Sequence, residues 1–174
     1  MNAEFRRADV PAEIRSLAAF DRRIFPSDHF SAAQWRSYES YWLLVNKRKV
    51  GCCAFEKDVD FEDDIRADGL NAQRNGSLYI ASTGLLPKFQ GMGFGQLLKS
   101  WQIAYARFHE FSRVVTNTRK RNAAMIALNK KFGFRMLRTT PGYYHDPPDA
   151  TVVMELVFRR ARATAAAKQA MKED

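Results

Sequence analysis

The residues most able to do chemistry by their type and spacing are Gln90-Gly-Met-Gly-Phe-Gly95, a turn with three glycines directly ahead of an amphipathic stretch. Glycine lets the backbone turn tightly and approach a ligand closely. If a helix starts near Gly95, the N–H groups of Gly91, Met92, Gly93, Phe94, Gly95 and Gln96 point out of its positive end, and an anion such as a phosphate is what they suit. Two common phosphate turns are excluded. Gln90 breaks the glycine spacing of a dinucleotide fingerprint, and no Lys-Ser or Lys-Thr follows as a P-loop requires.

The elements that must hold this turn are legible on either side of it. Leu78-Tyr-Ile-Ala-Ser-Thr-Gly-Leu-Leu reads as a strand stopped at Pro87. Leu97, Leu98, Trp101, Ala104, Tyr105 and Phe108 form a helical stripe after the turn, and Arg113-Val-Val-Thr-Asn-Thr is the next strand. Upstream, a short strand at Phe5 leads to a helix opened by Pro11, and Ser31 is placed to cap a second helix. Residues 41–55 read as a hairpin turning at Asn46-Lys-Arg-Lys. Downstream, Asn122 is placed to cap a short helix ending at Gly133, and strands are expected over 134–140 and 151–158, joined by Pro-Gly-Tyr-Tyr-His-Asp-Pro-Pro. Residues 57–76 read as a long solvated connection, and the basic, alanine-rich stretch from Arg159 as an appended helix or frayed end. The class is mixed α/β.

Composition narrows the rest. The chain has 174 residues, 46% hydrophobic and 13% aromatic, which suits one domain with a full core and excludes a repeat array. Cys52 and Cys53 are adjacent, so on a strand they point to opposite faces and cannot bridge. With no hydrophobic leader and no apolar run long enough for a membrane helix, a reduced cytoplasmic setting is expected. The net charge of +9 suits a nucleic acid, an anionic cofactor or solubility alone. No RNP-type aromatic motif or zinc-finger spacing favours the first. His29, His109 and His145 have no metal-ligand spacing, and the acidic run Asp58, Asp60, Glu62, Asp63, Asp64 lacks a calcium loop's glycine, so no metal is expected.

The Gln-x-x-Gly-x-Gly pattern from Gln90 to Gly95, after a strand and Pro87, resembles the acetyl-coenzyme A signature of the GNAT superfamily of N-acetyltransferases. Asn122-Ala-Ala-Met-Ile-Ala-Leu followed by Lys-Lys-Phe-Gly-Phe134 is similar to its second cofactor helix, and the order of elements from Phe5 to Phe158 agrees. The resemblance implies a mostly antiparallel twisted sheet of about seven strands, splayed at the cofactor site and flanked by about four helices. The acetyltransferase domain is then residues 1–158, followed by a basic tail over 159–174. Phe25-Pro26, Tyr79-Ile-Ala-Ser and the Gly-Tyr-Tyr of Tyr143 and Tyr144 further resemble N-terminal protein acetyltransferases of the ribosomal-protein and NatE-like kind.

That resemblance implies acetyl transfer from acetyl-CoA to a primary amine by direct attack in a ternary complex, which needs a group to take the amine's proton. Tyr79 is the implied base or water-positioning residue, with Tyr144 and Glu56 in reserve. Asn117 stands where the superfamily places a histidine or glutamate, and Asn129 where many members carry a tyrosine beside the thioester sulfur. Backbone N–H groups of Thr83, Gly84 and Leu85 are implied for the oxyanion and the pantetheine arm, with Gly84 suited to a bulge or a close approach. Gln90, the turn from Gly91 to Gln96, and Asn122 complete the implied cofactor site. Lys88, Lys99, Arg121, Lys130 and Lys131 are basic residues in range of the phosphates. Phe25, Pro26, His29, Ala81, Tyr143 and Tyr144 are the implied acceptor groove. The acceptor is expected to be a peptide or protein N-terminus, the alternative being a small amine such as a polyamine, antibiotic or amino acid. The rival to an enzyme is a basic nucleic-acid-binding or regulatory module with a vestigial CoA site. Monomer and homodimer both stay open.

Overall fold

The computed structural model describes residues 2–57 and 76–158. The acidic run and the basic tail from Arg159 lie outside the described residues.

Proline suits the first turn of a helix because its missing N–H would have no partner there. Pro11 accordingly starts α1 (Pro11–Ile24), which buries Ile14, Leu17 and Phe20. Ser31 caps α2 (Ala32–Ser37) in a reciprocal box with Gln34. The strands are β1 (Ala3–Arg7), β2 (Glu39–Val45), β3 (Arg48–Lys57), β4 (Ser77–Leu85), β5 (Arg113–Arg119), β6 (Arg135–His145) and β7 (Pro148–Val157). The remaining helices are α3 (Phe94–Phe108) and α4 (Ala123–Lys131). The strands form one seven-stranded sheet in the order β1-β2-β3-β4-β5-β7-β6. Only β4 and β5 run parallel.

Alternation along the strands feeds two cores. On one face Leu43, Cys53, Phe55, Leu78, Ile80 and Val114 pack against Phe94, Leu98 and Tyr105 of α3. On the other, Trp42, Leu44, Cys52 and Ala54 pack against Leu17 and Phe20 of α1 and Trp35 of α2. The adjacent cysteines thus separate to opposite faces as their spacing predicts. Trp35 and Trp42 have no exposed surface, and each such burial contributes roughly 2–3 kcal/mol.

Three local features differ from the sequence reading. The β2–β3 turn is tighter than Asn46–Lys49, because Asn46 (φ 49°) and Lys47 (φ 65°) alone make a left-handed two-residue turn and the strand resumes at Arg48. β6 does not end at Thr140. It runs on to His145, absorbing Pro141-Gly142-Tyr143 as a bulge between pairs Thr140↔Thr151 and Tyr144↔Asp149, with Gly142 at φ 66°. The expected loop is therefore a hairpin that carries both tyrosines. The third lies in β4, where Ile80 pairs with Phe55 and Ser82 with Ala54, leaving Ala81 as the extra residue. The bulge is at Ala81, and Gly84 pairs regularly with Cys52. It shifts the parity of the strand. Leu78 and Ile80 face α3 before it, and Leu85 faces α3 after it.

Candidate functional site

The site grows out of the β4 bulge. β4 and β5 pair over only four residues each, Ser77–Ile80 with Arg113–Thr116. Beyond them β4 stays with β3 to Leu85 while β5 stays with β7 to Arg119, so the two strands part. The β5-facing edge of Ala81–Leu85 has no ladder partner among the described residues, and such an edge can pair with an extended ligand.

The glycine turn sits at the open end. Gly91 and Gly93 have φ of 75° and 86°, values side-chain-bearing residues rarely adopt, and a Cβ on either would meet nothing within 4 Å. Gly93 is the N-cap of α3, with no side chain capping it. The Gln96 N–H bends back to the Gly93 carbonyl, so those of Gly93, Phe94 and Gly95 have no partner inside the helix. Gln90 donates to the Leu85 carbonyl at 3.1 Å, tying the turn to the end of β4. Met92 is exposed, whereas Phe94 is buried against Phe89. Gln96 accepts from Lys131 at 2.9 Å and so joins the start of α3 to the end of α4.

These residues fit acetyl-CoA. The turn has outward N–H groups of the kind that suit a pyrophosphate, and the parted strands leave an open edge of the kind that suits an extended arm such as pantetheine. Gly84 allows a close approach from the other side, because a Cβ there would lie 3.0 Å from Ile24 and 3.2 Å from Phe25. Asn122 accepts from the Met125 N–H at 3.1 Å as the cap of α4. It also lines the cavity described next.

A cavity of about 420 Å³ runs from the parted strands between the α1–α2 loop and the β6–β7 hairpin. Phe25, Pro26, Tyr79, Ala81, Thr83, Asn117, Asn122, Tyr143 and Tyr144 line it together, which brings most of the implied catalytic and acceptor residues to one place, while the glycine turn, Gly84 and Leu85 lie outside the lining. Tyr79 donates its hydroxyl to Asn117 Oδ1 at 2.6 Å, and Asn117 Nδ2 donates to Thr151 Oγ1 at 3.0 Å. Burial raises the Tyr144 phenol above its ordinary value. Its ring stands edge-on to Tyr143 and carries the Arg119 guanidinium 4.1 Å above it.

Some candidates lie elsewhere. His29 is outside the lining and turns back along α1, where it accepts from Arg22 and meets the Pro26 carbonyl. Glu56 pairs with Tyr79 across β3 and β4 but is also outside the lining. Asn129 is fully buried outside the cavity lining, donates to the Met154 sulfur at 3.7 Å, and its Oδ1 has no partner among the described residues. Lys99 does not point to the turn. It is 1% exposed, with its ammonium 5.1 Å from the Phe134 ring, and burial pushes it down to about 8. Its place, one residue past the core residue Leu98, turns it inward.

The sequence reading missed Arg119, Asp28 and Thr151. Arg119 pairs with Asp28 and donates to the carbonyls of Pro147 at 2.6 Å and Asp146 at 2.9 Å, joining the two walls of the cavity. Nothing in the linear order signals this, because the partners come from the α1–α2 loop and the β6–β7 turn and meet Arg119 only in the folded sheet. Among the described residues no three His, Cys, Asp or Glu side chains gather to hold a metal ion, and no helix is long and apolar enough to cross a membrane.

The architecture matches solved acetyltransferases at low identity. The ribosomal-protein-S18-alanine N-acetyltransferase of Escherichia coli superposes with a TM-score of 0.74 at 16% identity, covering 94% of this chain and 98% of that one. NAA60 of Arabidopsis thaliana, solved with a bisubstrate analogue, gives 0.72 at 17% identity over 91% of this chain and all of that one. The putative acetyltransferase yncA of Salmonella typhimurium, solved with acetyl-CoA, gives 0.68 at 19% identity over 92% and 96%. Among curated proteins no sequence relative matches. A family model described as "Acetyltransferase (GNAT) family" matches residues 12–134, spanning α1, the parted strands, the glycine turn and the α4 cap, and the chain belongs to that family of acetyl-CoA-dependent acetyltransferases.

Proposed function

We propose that this enzyme acetylates the N-terminal amine of a peptide or protein. The observation that carries this reading is the cavity at the parted strands, walled by Phe25 and Pro26 on one side and by the Tyr143–Tyr144 hairpin on the other. Aromatic walls can hold a short stretch of extended backbone and exclude water from a reacting amine. The fold likeness to enzymes named for the S18 alanine amine, for NAA60 and for a NatC complex with a Gag peptide supports the same class of acceptor.

The chain's residues then divide the work. Acetyl-CoA, when bound, supplies the thioester carbonyl that the amine attacks. The turn from Gly91 to Gln96 and the open edge of Thr83, Gly84 and Leu85 hold it, with Asn122 beside the arm. An amine protonated at neutral pH cannot attack, so its proton must leave first. The Tyr79 O–H is committed to Asn117, so the phenol oxygen accepts a hydrogen bond from the ammonium or from the water that takes its proton out to solvent. Tyr144, kept protonated by burial, holds acceptor or water by donating.

The test is isothermal titration of acetyl-CoA followed by thiol release in the same preparation. The acceptors are peptides with free N-termini, the same peptides N-acetylated in advance, and a set of polyamines, aminoglycosides and amino acids. Turnover on free peptides with none on blocked ones or small amines is the expected result. Turnover confined to small amines overturns the peptide reading while leaving the cofactor site intact, and a folded sample that does not bind acetyl-CoA overturns both.

A further inference from the structure

We infer that Thr151, a buried residue of β7 at the end of its ladder with β5, is the positioning residue that sets the hydrogen-bond direction of the Tyr79–Asn117 pair. This rests on the reading of Tyr79 given above.

An asparagine amide can point either way, and the two orientations have opposite consequences here. With its oxygen toward Tyr79, Asn117 makes the phenol a donor to it, and the phenol oxygen can then accept a hydrogen bond from the incoming amine or from the water that carries the amine's proton out to solvent. With its NH2 toward Tyr79, Asn117 occupies that oxygen, and the phenol hydrogen faces the amine instead. The second arrangement opposes proton removal. Something must choose between them.

The choice is made two residues away. Tyr79, Asn117 and Thr151 lie on one sheet face, since Tyr79 pairs with Val115 and Asn117 pairs with Val153, one alternation from Thr151. Thr151 Oγ1 donates to the backbone carbonyl of Thr118 at 3.3 Å. A carbonyl can only accept, so it draws the one hydrogen of the Thr151 hydroxyl toward itself. The hydroxyl oxygen is then an acceptor on its remaining sides, and Asn117 Nδ2 donates to it at 3.0 Å. That turns Asn117 Oδ1 to Tyr79, 2.6 Å away. Thr151 is 1% exposed, so water does not replace the missing partner if the hydroxyl is removed. A chain of single-direction bonds therefore runs from the Thr118 carbonyl to the reacting amine.

The test uses Thr151→Val, which keeps the shape and removes the hydroxyl, Thr151→Ser, which keeps it, and Tyr79→Phe. The acceptor is the free peptide that turns over fastest in the screen above. Thr151→Val should lower kcat about tenfold with the acceptor KM unchanged, and Thr151→Ser should stay within about twofold of wild type. The double variant Thr151→Val/Tyr79→Phe should be no slower than Tyr79→Phe alone, because Thr151 acts only through Tyr79. With 13Cζ-labelled tyrosine, the Tyr79 resonance, assigned by its loss in Tyr79→Phe, should move in Thr151→Val and stay in Thr151→Ser. That arm needs no acceptor, and Thr151→Ala takes the place of Thr151→Val if the valine variant does not fold. Wild-type rates and an unmoved resonance in Thr151→Val overturn the inference, as do a serine variant as slow as valine or additive losses in the double variant. If Tyr79→Phe keeps the full rate, the reading of Tyr79 falls and takes this one with it. If only Tyr79→Phe is slow, this one falls alone.

Discussion

Arg119 on β5 and Asp28 in the loop after α1 form an ion pair at 2.6 Å, and the same guanidinium reaches the Pro147 and Asp146 carbonyls of the β6–β7 turn. One side chain thus joins the walls of the proposed acceptor cavity, which come from opposite ends of the chain. The planar fork of arginine satisfies all three partners at once and stacks on Tyr144, which a lysine cannot do.

Arg119→Lys is expected to loosen both walls while leaving the glycine turn alone. The acceptor KM should rise about tenfold, equivalent to about 1.4 kcal/mol, with acetyl-CoA affinity unchanged. Steady-state kinetics on the best acceptor peptide, paired with isothermal titration of acetyl-CoA, separates the two. A loss of acetyl-CoA binding instead would mean that Arg119 braces the whole opening of the sheet.

This bridge also marks how far the sequence could be read. The glycine turn, the Ser31 and Asn122 caps, the Pro11 start and the opposite faces of Cys52 and Cys53 were legible because each is decided by residues within one turn or strand. Tyr79, Asn117, Phe25 and Tyr144 were placed through a family pattern, and the cavity brings them together. Arg119 and Thr151 were not legible, since their partners are set by strand register and by the three-residue bulge at Pro141–Tyr143. Gly84 suggested a bulge that the chain makes at Ala81, where no residue type announces it. Lys99 read as a surface cation because helical position alone decides that it turns inward.

Gly93→Ala and Gly84→Ala should separate the two halves of the site. At Gly93 the obstacle is the φ of 86°, since a Cβ would meet nothing within 4 Å. The left-handed conformation costs an alanine about 1–2 kcal/mol, so the turn relaxes and re-aims its N–H groups. Acetyl-CoA affinity should fall about tenfold with acceptor KM little changed. At Gly84 the obstacle is contact, because the new methyl lies 3.0 Å from Ile24 and 3.2 Å from Phe25. Displacing Phe25 should chiefly raise acceptor KM, and overpacking of this kind costs roughly 1–3 kcal/mol of stability. Titration, kinetics and thermal melts on both variants check the contrast, and identical profiles would contradict it.

Lys99 gives the fold an unusual dependence on alkaline pH. Its amine, ordinarily near 10.5, is pushed down to about 8 by burial. Between those values the unfolded chain binds more protons than the folded one, so stability rises with pH above about 8. The buried thiols act in the opposite sense. Burial pushes Cys53 from 9.0 up to about 12 and raises Cys52 as well, so above about pH 9 the unfolded chain ionises first and stability falls. Denaturant unfolding of the wild type should therefore show a shallow maximum near pH 9. Lys99→Met should abolish the rise and stabilise the protein at pH 7 by roughly 1–3 kcal/mol, as removal of a buried unpaired charge does. A methionine variant weaker than wild type at pH 7 would mean that the ammonium's contact with the Phe134 ring outweighs its desolvation.

Asn129 separates the family pattern from this structure most directly. A group that assists a departing thiolate must reach the cavity, and the Asn129 side chain instead ends against Met154 with Oδ1 buried and unpartnered. Its clear structural bonds are made by its backbone carbonyl, which accepts from the Phe132 and Phe134 N–H groups and closes the end of α4. Those bonds survive a change of side chain. Asn129→Leu, close in volume, removes an unsatisfied buried oxygen whose desolvation costs about 1–3 kcal/mol. The variant should be as stable as wild type or more so in denaturant unfolding, with kcat on the best peptide within about twofold. A fall in kcat of about tenfold, or about 1.4 kcal/mol of barrier, at unchanged stability would show that the side chain reaches the thioester during turnover and would return it to the catalytic machinery.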